Sequence, residues 1–253
     1  MNLQDKTIVI TGGGQGLGRT MAISLAKSGA NIALIDLNED LLQESAALIE
    51  QEGVKVRYYI ANVSVESDVE TIFSKINEDF NGIDGLINNA GILRDGMFVK
   101  VKDGKVAKKM SLESFQSVID VNLTGVFLCG REAAVHMIKS GGEGVIINMS
   151  SIARGGNIGQ TNYAAAKAGV VAMTTTWARE LGRHNIRVGA IAPGVIRTAM
   201  TDAMKPEMRD RLEKMKPVGR LGEAEEIAHT AKYIFENDFF TGRVIEIDGG
   251  LCM

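Results

Sequence analysis

The chain has 253 residues, 45% of them hydrophobic and 23% charged, with a net charge of −3 at pH 7. This length suffices for one domain with a large core, and the acidic balance argues against a nucleic-acid-binding protein. No apolar segment approaches the length of a membrane span, and no signal-peptide pattern precedes the first strand-like run. Two distant cysteines, Cys129 and Cys252, indicate no disulfide framework, so we expect a cytoplasmic setting. The histidines His136, His184 and His229 show no metal-ligand spacing, and no metal is implied.

Apolar runs of strand length alternate with helical patterns along the chain, as in a parallel sheet covered by helices. The predicted strands are 7–10, 31–36, 55–60, 84–88, 145–148, 187–191 and 244–250. The first predicted helix begins after Gly18. The other predicted helices are 39–52, 65–80, 111–139, 161–183 and 223–236. The pattern predicts an α/β fold in one domain, residues 1–253. This is a single Rossmann-like, doubly wound parallel sheet of about seven strands, with helices on both faces.

Two segments depart from this alternation. In residues 94–110, apolar and basic residues alternate around an Asp103-Gly104 turn, which predicts a small inserted hairpin near 97–108. Residues 195–220 are rich in methionine and predict a mobile helical flap. Its methionines (Met200, Met204, Met208 and Met215) would either pack a helix or form a pliable lid over an acyl chain.

A glycine-rich loop, Thr11-Gly12-Gly13-Gly14-Gln15-Gly16-Leu17-Gly18, directly follows the first predicted strand. Glycines here let the backbone approach a pyrophosphate, whose charge meets the N-terminus of the next helix. A tight turn alone would also explain the glycines. The position after strand one, with an acid ending strand two, favours a dinucleotide site. Its expected contacts are Gly12, Gly14, Gln15, Gly16, Leu17 and Gly18.

Asp36 ends the second predicted strand and can accept hydrogen bonds from both hydroxyls of an adenosine ribose. A 2′-phosphate at that position would meet like charge, and Gln15 supplies no compensating cation. The sequence therefore favours NAD, with NADP possible. The alternative is that Asp36 merely ends a strand.

Further cofactor contacts are expected where the predicted strands end, because open α/β sheets bind ligands at their carboxyl edge. Asn62 and Val63 could flank an adenine, and Asn89, Ala90 and Gly91 could form the floor under the second ribose. Leu37, Pro193, Gly194, Ile196 and Thr198 complete the expected set.

Tyr163 and Lys167 are separated by three alanines, so on a helix they share one face. A lysine charge at about 4 Å, in an effective dielectric of about 20, favours the phenolate by about 4 kcal/mol. That is roughly three pKa units and would bring the Tyr163 pKa from about 10 to near 7, where the phenol can exchange protons. The alternative is a solvated helix face without chemistry.

Several motifs together resemble those of the short-chain dehydrogenase/reductase family, in the family's order and over nearly the whole chain. The motifs are Thr11-Gly12-x-x-x-Gly16-x-Gly18, Asn88-Asn89-Ala90-Gly91, Asn122, Ser151, Tyr163-x-x-x-Lys167 and Pro193-Gly194. Within the family, the sequences around Gly159–Tyr163 and Val121–Gly125 are most similar to 3-oxoacyl-[acyl carrier protein] reductases.

The resemblance implies reversible hydride transfer between a nicotinamide and a carbonyl or secondary alcohol. Tyr163 would be the general acid/base, and Lys167 would lower its pKa and hold the nicotinamide ribose. Ser151 would bind the substrate oxygen, and Asn122 would hold a water of the proton relay. The resemblance also implies a homotetramer. The charge balance and the lack of a long apolar segment predict no nucleic acid or membrane partner.

The catalytic serine is ambiguous, because the family places it thirteen residues before the tyrosine, which here is Ser150. Ser151 instead fits the family's Asn-x-Ser-Ser pattern. A one-residue deletion in the loop 154–159 would reconcile the two. We therefore favour Ser151 and keep Ser150 open.

The expected substrate is a 3-oxoacyl thioester, carried by acyl carrier protein or CoA, or its 3-hydroxy partner. The alternatives are dehydrogenation of a sugar, polyol or steroid, or a non-catalytic dinucleotide-binding protein. The hairpin concentrates positive charge beside the expected cleft on Lys100, Lys102, Lys105, Lys108 and Lys109. These lysines either steer an acidic carrier protein or CoA phosphates, or only protect a solvated edge.

Overall fold

Seven parallel strands form the central sheet of this computed structural model, which describes residues 1–197, 201 and 206–251. In chain order the strands are β1 (Thr7–Thr11), β2 (Asn31–Asp36), β3 (Val56–Ile60), β4 (Gly85–Asn88), β7 (Gly144–Met149), β8 (Ile186–Pro193) and β9 (Val244–Ile247). Their spatial order is β3-β2-β1-β4-β7-β8-β9. The predicted seven-stranded, doubly wound sheet is confirmed.

Helices cover both faces of this sheet. They are α1 (Gly16–Ala26), α2 (Glu39–Glu50), α3 (Glu66–Phe80), α4 (Leu112–Ile119), α5 (Gly125–Ser140), α6 (Thr161–Leu181), α7 (Pro206–Lys214) and α8 (Ala224–Glu236). Since side chains alternate along a strand, Ile8 and Ile10 of β1 join one core cluster and Val9 joins the other. Burial on both faces explains why the strands read as continuous apolar runs. Among the described residues, no helix is long and apolar enough to cross a membrane.

The strand order reverses between β1 and β4, because β2 and β3 lie on one side of β1 and the later strands lie on the other. A crevice opens outside the carboxyl ends of parallel strands at such a switch point. The loops after β1 and β4 border this crevice, and both were predicted to contact a cofactor.

The inserted hairpin is present, at residues 99–109 where the sequence predicted 97–108. It consists of β5 (Val99–Lys102) and β6 (Lys105–Lys109), which form a separate two-stranded antiparallel sheet. Every residue of both strands is exposed.

Two helical predictions differ from the structure. The segment 111–139 was predicted as one helix, but five residues, Asp120–Thr124, form a π-helical turn between α4 and α5. Hydrophobic periodicity does not report such a turn. The flap was predicted to be helical from Val195, but Val195 to Arg197 is extended. Arg197 N–H donates to the Gly222 carbonyl at 2.7 Å, and Gly222 N–H donates to the Val195 carbonyl at 3.1 Å. These hydrogen bonds join two separate segments of the chain and take the place of helical hydrogen bonds.

Much of the predicted methionine lid lies outside the described residues, namely Met200, Met204 and the side chain of Met208, as does the predicted cofactor residue Thr198. Met215 is described and is about half exposed. The lid therefore stays a prediction.

Candidate active site

The glycine loop runs from the end of β1 into α1 and is shaped by close backbone contacts. A Cβ at Gly18 would lie 2.1 Å from the Gly12 carbonyl oxygen, so no other residue fits there. Gly16 has φ +53°, which favours glycine, and a Cβ there would meet nothing within 4 Å. The loop is thus tightly packed toward the protein at Gly18 and open at Gly16, as a phosphate cradle at a helix N-terminus requires.

Arg19 and Ser45 hold this loop from behind, although sequence analysis assigned neither a role. The Gly14 carbonyl accepts hydrogen bonds from Arg19 Nη2 at 2.6 Å, Arg19 Nε at 3.1 Å and Ser45 Oγ at 2.9 Å. Ser45 is a fully buried serine on the inner side of α2. A polar residue at a core position of an amphipathic helix was the available signal, because buried hydroxyls need partners.

Asp36, at the end of β2, both shapes the local backbone and lines the crevice. One carboxylate oxygen accepts from Gly14 N–H at 3.1 Å, and the other accepts from Leu37 N–H at 2.7 Å and Asn38 N–H at 3.3 Å. The two interpretations of Asp36, strand end and cofactor contact, are therefore compatible.

A cleft of about 300 Å³ lies at this edge of the sheet. Its lining includes nine of the predicted cofactor residues: Gly12, Gln15, Asp36, Leu37, Asn62, Val63, Asn89, Ala90 and Gly91. Ile35, Ala61, Ile92 and Val121 also line it and were not singled out from the sequence. The switch-point position and the glycine cradle fit the dinucleotide that the sequence indicates.

Thr11 and Asn89 join the two strand ends that flank the crevice. The Asn89 side-chain amide donates to the carbonyls of Thr11 and Gly12 at 3.1 and 3.0 Å. The Thr11 hydroxyl accepts from the backbone N–H groups of Asn89 and Ala90, both at 3.0 Å. These reciprocal bonds fix the floor of the cleft. Asn62 plays a comparable local part, because its side-chain oxygen accepts from the backbone and hydroxyl of Ser64.

The first turn of α6 presents Tyr163, and Asn162 fixes that turn. Asn162 is fully buried, and its side-chain oxygen accepts from Tyr163 N–H at 2.8 Å. Its amide nitrogen donates to the carbonyls of Arg94 and Ser114, both at 3.0 Å. The orientation of Tyr163 thus depends on two distant segments, a dependence that the sequence did not indicate.

Lys167 lies one turn further along α6 and is almost completely buried. Its ammonium donates to the Met149 carbonyl at 2.6 Å and lies 5.6 Å from the centre of the Tyr163 ring. Burial lowers the pKa of Lys167 to about 8. Tyr163 and Lys167 therefore share one face of α6 as the spacing predicts, with the amine held at the end of β7.

The expected lowering of the Tyr163 pKa is wrong for this structure. Burial raises the pKa of the Tyr163 phenol above its usual value, a hydrogen bond with Ser151 lowers it, and the Asp95 carboxylate raises it. The Coulomb argument assumed a solvated phenol beside a freely placed charge. In the structure the phenol is desolvated, and the ammonium is directed at a backbone carbonyl.

The two candidate serines occupy different environments. Ser151 lies close enough to the Tyr163 phenol to lower its pKa, and the Ser151 hydroxyl oxygen accepts from Ala153 N–H at 3.1 Å. Ser150 is buried, and its hydroxyl donates to the Lys167 carbonyl at 3.0 Å. Only Ser151 thus has its hydroxyl beside the phenol, whereas Ser150 attaches β7 to α6.

Asn122 lies in the π-helical turn and is fully buried. Its side-chain oxygen accepts from Ile92 N–H at 2.8 Å, and its amide nitrogen donates to the Ile92 carbonyl at 3.0 Å. The side chain therefore fixes the backbone just after the Asn89-Ala90-Gly91 segment. The predicted water-holding role is not tested by these contacts.

A buried chain of polar side chains, missed in the sequence, connects the strands below the site. Asn88 on β4 donates to Asn148 on β7 at 2.9 Å, and Asn148 donates to the Thr174 hydroxyl on α6 at 2.9 Å. Since these groups are fully paired, they lock the relative positions of the three elements.

Pro193 ends β8, and Gly194 and Ile196 follow it at the same edge of the sheet. A Cβ at Gly194 would lie 2.6 Å from the Asp248 Cα, so the chain passes closely against the segment after β9. The structure thus brings the predicted groups together at the carboxyl edge of one sheet. Ser151 and Tyr163 follow β7, and the nucleotide cleft lies beside β1, β2 and β4. This is the arrangement of a dinucleotide-dependent oxidoreductase.

Comparisons with known proteins agree with this arrangement. Residues 12–252 match a family model described as enoyl-(acyl carrier protein) reductase. The chain is 40% identical to the 3-oxoacyl-[acyl-carrier-protein] reductase FabG of Thermotoga maritima, over the full length of both. It is 36% identical to a mouse (3R)-3-hydroxyacyl-CoA dehydrogenase, over 100% of this chain and 98% of the other. The crystal structure of an NAD⁺-bound xylitol dehydrogenase superposes with a TM-score of 0.87 at 28% identity, covering 99% of this chain and 100% of that one.

The chain belongs to the short-chain dehydrogenase/reductase family, as its motifs predicted. It is an oxidoreductase that uses a nicotinamide dinucleotide.

Proposed function

We propose that this protein interconverts a 3-oxoacyl thioester and its 3-hydroxy partner, with NAD(H) as the preferred cofactor. The Ser151 hydroxyl beside the Tyr163 phenol, with Lys167 one helical turn away and the nucleotide cleft at the same sheet edge, carries the proposal. The relatives in Thermotoga maritima and mouse are named for this chemistry, on acyl carrier protein and CoA respectively.

The residues that would hold the dinucleotide follow from the cleft. The glycine loop and the N-terminus of α1 would bind the pyrophosphate, and Asp36 would bind the adenosine ribose. Asn62 and Val63 would flank the adenine, while Ala90 and Gly91 would support the second ribose. Pro193, Gly194 and Ile196, with Thr198 beyond the described residues, would meet the carboxamide. When bound, the nicotinamide supplies or accepts the hydride.

Tyr163 would act as the general acid that protonates the substrate oxygen. Reduction of a carbonyl forms an alkoxide that must be protonated, and a phenol with a raised pKa carries its proton at neutral pH. Ser151 would donate a hydrogen bond to the substrate oxygen and align it with the phenol. Lys167, held by the Met149 carbonyl, would place its positive charge beside both the phenol and the nicotinamide ribose.

The preference for NAD rests on the surroundings of Asp36. Its carboxylate is held in place by three backbone N–H groups, so it cannot move away from a 2′-phosphate without losing them. Gln15 lines the same cleft and adds no positive charge.

A second candidate is the dehydrogenation of a polyol, because a xylitol dehydrogenase shares the fold over the whole chain. Both candidates use the same Ser151, Tyr163 and Lys167 and differ in the substrate side of the cleft. A non-catalytic dinucleotide-binding role is disfavoured, because nucleotide binding alone does not require a serine hydroxyl paired with Tyr163.

The deciding experiment is a substrate panel followed through nicotinamide absorbance with NADH and NADPH. We expect 3-oxobutyryl thioesters to be reduced, and xylitol and steroid alcohols to react at least about 10²-fold less efficiently. Efficient polyol oxidation without thioester reduction would favour the second candidate.

Tyr163→Phe should lower turnover by about 10² or more and leave NADH binding unchanged, since it removes only the proton donor. Full turnover in that variant would contradict the assigned role.

The family resemblance also supports a homotetramer of one-domain chains in the cytoplasm. Phe127 on α5 and Phe239 after α8 are exposed apolar side chains that subunit contacts would cover. Light scattering of the purified protein tests the assembly, and a monomer at micromolar concentration would contradict it.

A further inference from the structure

The hairpin formed by β5 and β6 carries four of its five lysines on one face. The register pairs Lys100 with Lys108 and Lys102 with Lys105. Directly opposed residues in an antiparallel pair share a face, and so do alternate residues of one strand. A register shift between Lys100 and Val101 keeps Lys108 on the same face as Lys105, although the two are three residues apart on β6. The four lysines therefore lie on a single face, called here the lysine face. The valines of the hairpin lie on the other face, together with Lys109, which is opposite Val99.

This charge arrangement lowers the stability of the hairpin. Like charges directly opposite each other are unfavourable, and an isolated two-stranded hairpin is marginal even without them. The ammonium groups of these four lysines make no hydrogen bond or ion pair with any residue that the structure describes. The intramolecular structure thus gives no reason for placing four ammonium groups together.

The lysine face contrasts with the rest of the molecule. Residues 99–109 contain five lysines and one aspartate, a net charge of +4, whereas the whole chain carries −3. Lysines that protect a strand edge act beside the unpaired backbone groups of that edge. Here the charges cover a face, which is the arrangement expected for an anionic partner that lies across it.

The residues just before the hairpin contact the loop that leads into α6 and Tyr163. Gly96 N–H donates to the Gly159 carbonyl at 2.8 Å, and the Gln160 side chain donates to Asp95 at 2.9 Å. Gly159 and Gln160 directly precede α6, whose first turn carries Tyr163. A partner seated on the lysine face is therefore beside the substrate side of the active site, not on the adenosine side.

The spacing of the charges indicates a protein partner with an acidic helix. Lysines two apart on a strand are about 7 Å apart, and opposed lysines are about 5 Å apart. Carboxylates one turn apart on a helix repeat every 5.4 Å or so, close to the spacing of the opposed lysines. We infer that the lysine face is the docking surface for an acidic acyl carrier protein that delivers the thioester. This inference rests on the proposed function and assigns its carrier.

The test compares two charge-matched double variants. Lys102→Glu/Lys105→Glu reverses two charges of the lysine face, and Lys27→Glu/Lys139→Glu reverses two exposed lysines at the ends of α1 and α5. Each is assayed with the 3-oxobutyryl group on acyl carrier protein, on CoA and on N-acetylcysteamine, at about 20 mM and about 500 mM salt. Thermal unfolding and kcat with the small thioester show whether the variants are folded.

We expect KM for the carrier-bound substrate to rise about 10-fold in the hairpin variant at low salt and less than about 2-fold at high salt, because salt screens exposed charges. KM for the small thioester and the control variant should stay unchanged. An unchanged carrier KM, or an equal rise with the small thioester, would overturn the inference. A rise for CoA alone would assign the face to CoA phosphates instead and would also overturn it.

Binding of unacylated carrier protein, measured by fluorescence anisotropy, separates this inference from the proposed function. If the wild-type protein binds the carrier and the hairpin variant binds it about 10-fold more weakly, the docking surface stands even if no thioester is reduced. If both bind equally, or neither binds, the docking surface is rejected although thioester reduction can still hold.

Discussion

Replacing Lys167 by methionine should stabilise the protein at neutral pH while it removes activity. Lys167 is almost completely buried, and burial lowers its pKa from 10.5 to about 8. The pKa of Lys167 is thus about 2.5 lower in the folded protein than in the unfolded chain. Below pH 8, keeping the amine charged therefore costs the folded state about 3 kcal/mol relative to the unfolded chain. Methionine has a similar length and no charge, so it removes this cost.

The replacement also removes a hydrogen bond. Lys167 donates to the Met149 carbonyl at 2.6 Å, and leaving that buried acceptor unpaired costs about 1–2 kcal/mol. The net gain at pH 7 is therefore about 1–2 kcal/mol. Above the unfolded pKa of 10.5 the amine is neutral in both states, so only the loss of the hydrogen bond remains and the variant becomes less stable than wild type.

The direction of this pH dependence follows from proton binding at Lys167. Between pH 8 and 10.5 the unfolded chain binds more protons at this lysine than the folded protein does, so wild-type stability gains about 3 kcal/mol from this group as the pH rises. The variant lacks this gain. The difference in free energy of unfolding, variant minus wild type, should thus fall by about 3 kcal/mol between pH 7 and 10.5.

Urea unfolding monitored by circular dichroism, at equal protein concentrations without cofactor, measures this difference. Lys27→Met replaces an exposed lysine at the end of α1 and serves as the control, for which we expect a small, pH-independent difference. If Lys167→Met destabilises the protein equally at both pH values, the burial argument is refuted.

Three further predictions concern the cleft. Gly18→Ala places a Cβ 2.1 Å from the Gly12 carbonyl, so we expect dinucleotide binding, measured by NADH fluorescence, to weaken at least about 10-fold, and near-native affinity would contradict the tight packing. Asp36→Asn removes the negative charge, so the ratio of kcat/KM for NADPH to that for NADH should rise about 10-fold, and a constant ratio would remove Asp36 as the selector. Ser151→Ala should lower kcat about 10²-fold through the lost substrate hydrogen bond, whereas Ser150→Ala should mainly lower the melting temperature; the reverse result would exchange their roles.

The succession of strands and helices along the chain was predictable because the local sequence signals agreed with one another. The strands β1 and β2 are apolar runs buried on both faces, and the polar ligand contacts come where they end, since Gly12 directly follows β1 and Asp36 is the last residue of β2. The placement of Tyr163 and Lys167 on one face follows from helix geometry alone.

The supporting contacts were not predictable, because they join residues that are far apart in the sequence. Asn162 holds the backbone of Arg94 across 68 positions, and Asn88 reaches Asn148 across 60. The pKa of Tyr163 was wrongly predicted for a related reason, since desolvation depends on tertiary packing that spacing does not report. The π-helical turn at Asp120–Thr124 likewise leaves no periodic signature.

The bonds between Thr11 and Asn89 have a consequence for folding, because they span 78 positions of the chain. β1 and β4 are neighbours in the sheet, but β2, β3 and three helices separate them in sequence. A growing polypeptide that has completed only its first two strands therefore has a glycine loop without the opposite wall of the crevice. The ability to retain nucleotide should appear only once β4 is inserted, and from then on bound nucleotide favours the finished sheet over partly assembled forms.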